Sequence, residues 1–330
     1  MASYLNVTFN HFSALQKWIT ETGAAVTLNM QDLTMEVKHR GRYFRMYPMF
    51  QAQMDDGSPM HVRALTPQVT GFGGWRPYQT FTHPHSTDKK LFKQHLSDTG
   101  IPTPARWDDI GTPPDQDYVL KARQGSFGLT VFGPYRANTP PAMSESERVR
   151  SGPAFAEQFV QGRSVKVWYW GARPFFAHVQ GRPVIVGDGR STAGELLQAR
   201  VAQCVGTEAA TQLPFAVQCL AYQQVGLDDV LAAGAERWID YRFGQQYPTT
   251  GGRVAESDNQ LDELLRLTGP QLGAMGNALA RLLQQTVPVP VMLTADGVLD
   301  DAGTLWWLEM NTNSLLPPEG YAAMFGDLFG

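Results

Sequence analysis

Apolar positions recur at helical spacing in three stretches and alternate with polar ones in several shorter runs, which predicts a chain of interleaved helices and strands. Phe12, Leu15, Trp18 and Ile19 line one face of a predicted helix over residues 10–22 that stops at Gly23. Residues 35–50 read as a hairpin turning at Arg40-Gly41. A second helix starts near Thr87 or Asp88, buries Leu91, Phe92, His95 and Leu96, and stops at Gly100 with Pro102 beyond. Residues 117–136 read as strand, glycine loop, strand. Residues 138–153 read as a loop around a short helix, and 155–179 as two strands broken near Gly162 and Gly171. Helical patterns and turns alternate over 195–238. Leu272, Met275, Leu279, Leu282 and Leu283 then mark a helix over 271–285, followed by a final pair of strands. This order gives an α+β chain of several lobes.

Composition narrows the setting. The 330 residues are 43% apolar and 18% charged, which suits a buried core and excludes a disordered or collagen-like chain. No apolar run reaches the ~18 to 20 residues of a membrane helix, and residues 1–10 lack the basic start and apolar stretch of a leader. With 27 Lys+Arg against 31 Asp+Glu, the net charge of −4 disfavours nucleic acid and anionic lipid as general partners. Only Cys204 and Cys219 occur, so neither a disulfide framework nor a zinc cluster is predicted, and a reduced, cytoplasmic setting is expected.

Residues 295–311, ADGVLDDAGTLWWLEMN, carry the most chemistry. They read as a hairpin turning at residues 300–303. Alternation puts Glu309 and Asn311 on one face, ~6.5 Å apart, together with Leu305 and Trp307. With a four-residue loop Leu299 faces Thr304 and Asp296 faces Trp307, so Asp296 lies diagonally beside Glu309. Two carboxylates and an amide oxygen then form a hard-oxygen set suited to Mg²⁺. A three-residue loop with a glycine bulge would instead turn Asp296 to the other face, leaving a solvated hairpin with scattered acids.

Upstream, Tyr118-Val-Leu-Lys121 reads as a strand leading into Gly125-Ser126-Phe127-Gly128. A strand-borne lysine and a glycine loop suit phosphate, although by itself such a segment is more often a plain hairpin. The spacing fits neither GxxxxGK[ST] nor GxGxxG. Lys89 opens a helix, where a cation is disfavoured by the helix dipole, which hints at another partner.

Taken together, Asp88-Lys89 with GIPTP, YVLKARQGSFG, FAEQFVQG, and Asp296 with LEMN follow the order and spacing of the ATP-grasp superfamily. From Thr87 onward the chain resembles that superfamily of carboxylate-amine ligases, nearest to its D-alanine-D-alanine ligase, RimK and cyanophycin synthetase branches. The thirteen-residue interval from Asp296 to Glu309, with Asn311 two places on, is similar to the magnesium motif of D-alanine-D-alanine ligases. VIVGDGRSTAGELL at 184–197 and TTGGRVAESDNQLDEL at 249–264 resemble segments of cyanophycin synthetase.

The resemblance implies ATP held between two antiparallel sheets. Residues 1–86 would form a divergent substrate-side lobe, 87–165 the subdomain with the glycine loop, and 166–330 the subdomain with the metal site. It assigns phosphate to Lys89 and Lys121 under a cover of Gly125, Ser126 and Gly128. Adenine falls to Glu157 and to the main chain of Gln158 and Val160, and two Mg²⁺ to Asp296, Glu309 and Asn311. The implied reaction turns a small-molecule or peptide carboxylate into an acylphosphate that an amine attacks, and a homodimer is compatible with it. Three positions depart from the family. Ser164 stands where an acid binds ribose, Lys166 replaces an arginine, and Thr294 replaces the oxyanion arginine, for which Arg253 is the candidate substitute. These departures leave open a nucleotide-binding module without turnover. A third reading makes the basic, aromatic hairpin around Lys38, Arg42 and Arg45 a docking face, although its alternation gives no clean basic side. His83 and His85 are expected to be exposed, and GFGGW at 71–75 to be a turn.

Overall fold

The computed structural model describes residues 2–54, 59–123, 130–141, 152, 154–202, 208–242, 259–284, 286–287 and 290–330. Among them every strand pairing is antiparallel and helices are interspersed, so the fold is α+β, as expected.

Helix α1 (Ala2–Thr22) leads into β1 (Ala25–Leu28), β2 (Met35–His39), β3 (Arg42–Gln53), β4 (Pro59–Val62) and β5 (Val69–Arg76). These strands make one sheet, ordered β1-β2-β3-β4 with β5 also on β3. His39 pairs with Arg42, so the turn falls at Arg40-Gly41 as predicted, with φ of 49° and 76°. Helix α1 starts at Ala2 rather than residue 10. Its buried stripe is His11, Leu15 and Trp18, and Phe12 is exposed, because the C-terminal helix fills the face beside Trp18. The glycines at 71–75 lie inside β5 instead of forming a turn, since buried Phe72 and Trp75 hold that stretch against β3. On the basic hairpin Phe44 packs on Phe329, Arg42 donates to the Leu328 carbonyl, and Arg45 reaches Asp32.

Next come α2 (Pro84–Thr87), α3 (Lys89–Asp98), β6 (Arg106–Trp107), β7 (Tyr118–Ala122), β8 (Val131–Tyr135) and β9 (Ala154–Gln158). The second sheet is ordered β6-β9-β7-β8. Asp88 caps α3 by accepting from Lys90 N and Leu91 N at 3.0 and 3.4 Å. The predicted buried side of α3 needs correcting, since Leu91 is exposed and Lys93 is buried with Phe92 and Leu96. The short helix expected within 138–153 falls largely outside the described residues.

The third group contains β10 (Arg163–Trp170), β11 (Arg173–Gln180), β12 (Val184–Val186), α4 (Ala193–Val201), α5 (Glu208–Tyr222), β13 (Glu236–Trp238), α6 (Leu261–Thr268), α7 (Gln271–Gln284), β14 (Met292–Leu299), β15 (Leu305–Asn311) and α8 (Gly320–Phe329). The third sheet is ordered β11-β10-β14-β15, and β12 pairs with β13. Breaks at Gly162 and Gly171 thus separate three strands, β9, β10 and β11, rather than two.

Alternation gives the third sheet two faces. Val165, Val167 and Tyr169 of β10 and Leu293 and Ala295 of β14 pack on Leu272, Met275 and Leu279 of α7. A Cβ at Gly276 would collide with the Ala172 carbonyl, so glycine lets α7 lie close to the sheet. The opposite face carries Ser164, Lys166 and Trp168 with Asp296 and Val298, and it looks into a cleft.

Candidate functional site

One row of the third sheet runs Lys166, Asp296, Glu309 across β10, β14 and β15. Asp296 pairs directly with Glu309, not diagonally, and Gly297 pairs with Trp307. The register shift between those pairs leaves Leu308 as an extra residue on β15. That bulge inverts the alternation. Leu305 and Trp307 enter the core while Glu309 and Asn311 turn into the cleft, so the expectation that all four share one face is corrected. The loop is closed by Asp300, whose N–H donates to the Thr304 carbonyl at 3.0 Å and whose carboxylate accepts from Thr304 N at 2.8 Å.

Two adjacent carboxylates repel unless cations intervene. Lys166 Nζ stands 2.7 Å from Asp296 Oδ1, Asn311 Nδ2 donates to Asp296 Oδ2 at 2.9 Å, and Lys89 Nζ stands 3.2 Å from Glu309 Oε2. Burial still pushes the Asp296 pKa up, with the Glu309 charge adding to it and Lys166 and Asn311 opposing. A divalent cation would relieve this like-charge contact. Asp296, Glu309 and the Asn311 amide oxygen are hard donors that fit Mg²⁺, a cation that completes its shell with water and phosphate oxygens. Among the described residues no group of three or more His, Cys, Asp or Glu side chains could hold a metal, so Asn311 and ligand oxygens would have to complete this set.

The facing wall comes from the second sheet and α3. Glu157 is buried, with Lys121 Nζ 2.5 Å from Oε1 and Lys93 Nζ 2.6 Å from Oε2. Burial opposes the Glu157 charge, but the two ammonium groups, Lys121 ahead of Lys93, hold its pKa below the usual carboxylate value. Burial brings Lys93 down to about 8, against the pull of Glu157. Lys93 also donates to Thr103 Oγ1 at 3.0 Å. Two lysines against one carboxylate leave this wall short of one negative charge.

A cavity of about 840 Å³ separates the walls. Lys89, Lys121, Glu157, Gln158, Val160, Ser164, Lys166, Asp296, Glu309 and Asn311 all line it. The other expected site residues, Gly125, Ser126, Gly128 and Arg253, lie outside the described residues. Both Glu157 oxygens are occupied by lysines, so its carboxylate serves them before any base. Gln158 N donates to the Ala105 carbonyl at 2.9 Å, which ties the β9 edge to the segment before β6. Ser164 Oγ donates to the Tyr241 carbonyl at 2.8 Å.

His83 is buried, contrary to expectation, because its Nδ1 accepts from His85 N at 3.3 Å as the cap of α2. Thr294 Oγ1 meets Ser314 Oγ at 2.6 Å, and the Ser314 carbonyl accepts from buried Arg76. Sequence reasoning missed Lys93, although its i, i+4 spacing from Lys89 places both on the stripe that holds Phe92 and Leu96. It also missed Gln51, Met60, His61 and Arg182 in the lining, where no local pattern marked them.

No protein-family model matches the chain, and no curated protein does. Solved structures do. A bifunctional glutathione synthetase from Pasteurella multocida is 12% identical at a TM-score of 0.40, covering 96% of this chain and 43% of its own. A D-alanine-D-alanine ligase from Bacillus anthracis is 16% identical at 0.36, over 74% of this chain and 65% of that one. An L-amino acid ligase from Bacillus licheniformis is 14% identical at 0.32, over 69% and 41%. The chain therefore spans less than two thirds of the length of each of these ligases.

Proposed function

We propose that this protein is an ATP-dependent carboxylate-amine ligase of the ATP-grasp type, working through an acylphosphate. The observation that supports it most is the adjacent Asp296–Glu309 pair with Asn311, set in one cleft with Lys89, Lys121 and Lys166. The sequence motifs from Asp88 to Asn311 support the same reading. An anionic, metal-carrying polyphosphate matches both walls.

In this reading Lys121 and Lys89, which both line the cleft, hold phosphate oxygens, with Glu157 orienting Lys121 and the buried Lys93 bracing Glu157. Asp296, Glu309 and Asn311 would hold Mg²⁺, which when bound neutralises charge on the phosphate oxygens. Lys166 then exchanges Asp296 for oxygens of the transferring group. A substrate carboxylate oxygen bonds to the γ-phosphorus while the bond to the ADP oxygen breaks. An amine nitrogen next attacks the acyl carbon, inorganic phosphate leaves, and the amine loses a proton. The acid and amine occupy the end of the cleft lined by Gln51, Met60 and His61. This wall of the cleft excludes water from the acylphosphate. Amino acids or peptides are the proposed acids, and the cytoplasm is the proposed setting. Among the described residues no helix is long and apolar enough to cross a membrane.

The departures at Ser164 and Thr294 support a second reading, nucleotide binding without turnover, because both hydroxyls already have protein partners. Incubation with ATP, Mg²⁺ and an amino acid mixture separates the two. Amine-dependent phosphate release with a condensation product is expected from the ligase, whereas ATP binding with no turnover for any amine favours the second reading.

A further inference from the structure

Arg182 lines the cleft beside Phe159, Ser164 and Tyr241, at the end away from the N-terminal sheet. Its guanidinium carbon stands 4.7 Å from the centre of the Trp238 ring and 5.6 Å from that of Phe159. These cation–π contacts hold the guanidinium against two rings without satisfying its N–H groups. Its Nε is buried and lacks a hydrogen-bond partner among the described residues. The neighbouring Arg242 is different, since Asp240 accepts from it at Nε and Nη2.

Among the described residues the carboxylates that line the cleft are Glu157, Asp296 and Glu309, and each is paired with lysine. Among these residues the Arg182 end of the lining therefore holds no carboxylate to accept from a sugar hydroxyl, and the Ser164 hydroxyl donates to the Tyr241 carbonyl. What this end presents is a clamped donor that needs oxygen acceptors.

We propose that Arg182 is the ribose-binding residue of the cleft: a guanidinium backed by Trp238 that donates to the ribose hydroxyl oxygens of a nucleoside triphosphate. This rests on the nucleotide reading above, with the phosphates at Lys89 and Lys121. Sugar recognition here works by donation to hydroxyl oxygens, the reverse of a carboxylate that accepts from them. The aromatic backing makes the planar group necessary, so lysine is a poor substitute.

The test measures binding of Mg·ATP and of Mg·tripolyphosphate by calorimetry, without acid or amine, to the full chain and to its Arg182→Ala and Arg182→Lys variants. Arg182→Ala is expected to weaken ATP about tenfold and tripolyphosphate less than twofold, with lysine recovering little. The preference for ATP over 2′,3′-dideoxy-ATP should vanish in Arg182→Ala. Equal loss of ATP and tripolyphosphate would mean a general charge or folding effect and overturns the proposal. So does undiminished ATP binding by both variants. Failure of the unsubstituted protein to bind ATP at all overturns the nucleotide reading itself, and this inference with it.

Discussion

The two walls of the cleft solve opposite electrostatic problems. On the third sheet two carboxylates lie side by side, with Lys166 beside them in the same row and Lys89 reaching in from α3, and Glu309 is still 30% exposed at its side chain. On the second sheet a single carboxylate is buried between two lysines, with Glu157 and Lys93 at 2% and 3%. The first arrangement can exchange its cations with water and ligand. The second is locked, because removing its carboxylate leaves two buried ammonium groups facing each other. Glu309 is therefore the carboxylate proposed to exchange its partner for a metal, and Glu157 the one that ties its wall together.

Glu309→Gln should cut amine-dependent phosphate release at least about a thousandfold, while its melting midpoint stays within a few degrees, because its ion pair with Lys89 is part-exposed. Glu157→Gln should do the reverse. A loss of about 3 to 5 kcal/mol in denaturant unfolding is expected, from an uncompensated buried charge. Equal stability losses in the two variants would erase the distinction between the walls.

The lowered pKa of Lys93, about 8, gives a pH test. Its folded value lies below its unfolded one, so between about 8 and 10.5 the unfolded chain binds the extra proton, and this residue makes stability rise with pH across that window. Denaturant unfolding from pH 7 to pH 10 checks this, and Lys93→Met should flatten that rise. The smallest effect belongs to Ser164→Ala. Its hydroxyl is occupied by Tyr241, so ATP affinity should change less than about threefold in a calorimetric titration.

The acid wall was the more legible in sequence because its residues come from one local hairpin, where alternation and a turn constrain the faces. Even there the bulge at Leu308 escaped, since a single extra residue has no compositional mark, and it reversed where Trp307 points. The lysine wall joins α3, β7 and β9, which lie far apart in the chain. Lys121 was found through its strand and the following glycines, but Lys93 occupies a buried position that helical patterning assigns to apolar residues, so Leu91 was placed there instead. In β5, burial of Phe72 and Trp75 overrode the turn signal of three glycines. Lining residues such as His61 and Arg182 arrive by tertiary folding alone, and nothing nearby in sequence announces them.

The acid pair as the seat of a cation that carries the nucleotide is tested most directly by titrating ATP into the protein with Mg²⁺ and with EDTA, alongside Asp296→Asn. The account predicts binding that requires Mg²⁺ and is lost in the variant. Tight ATP binding that ignores both Mg²⁺ and the substitution would contradict it.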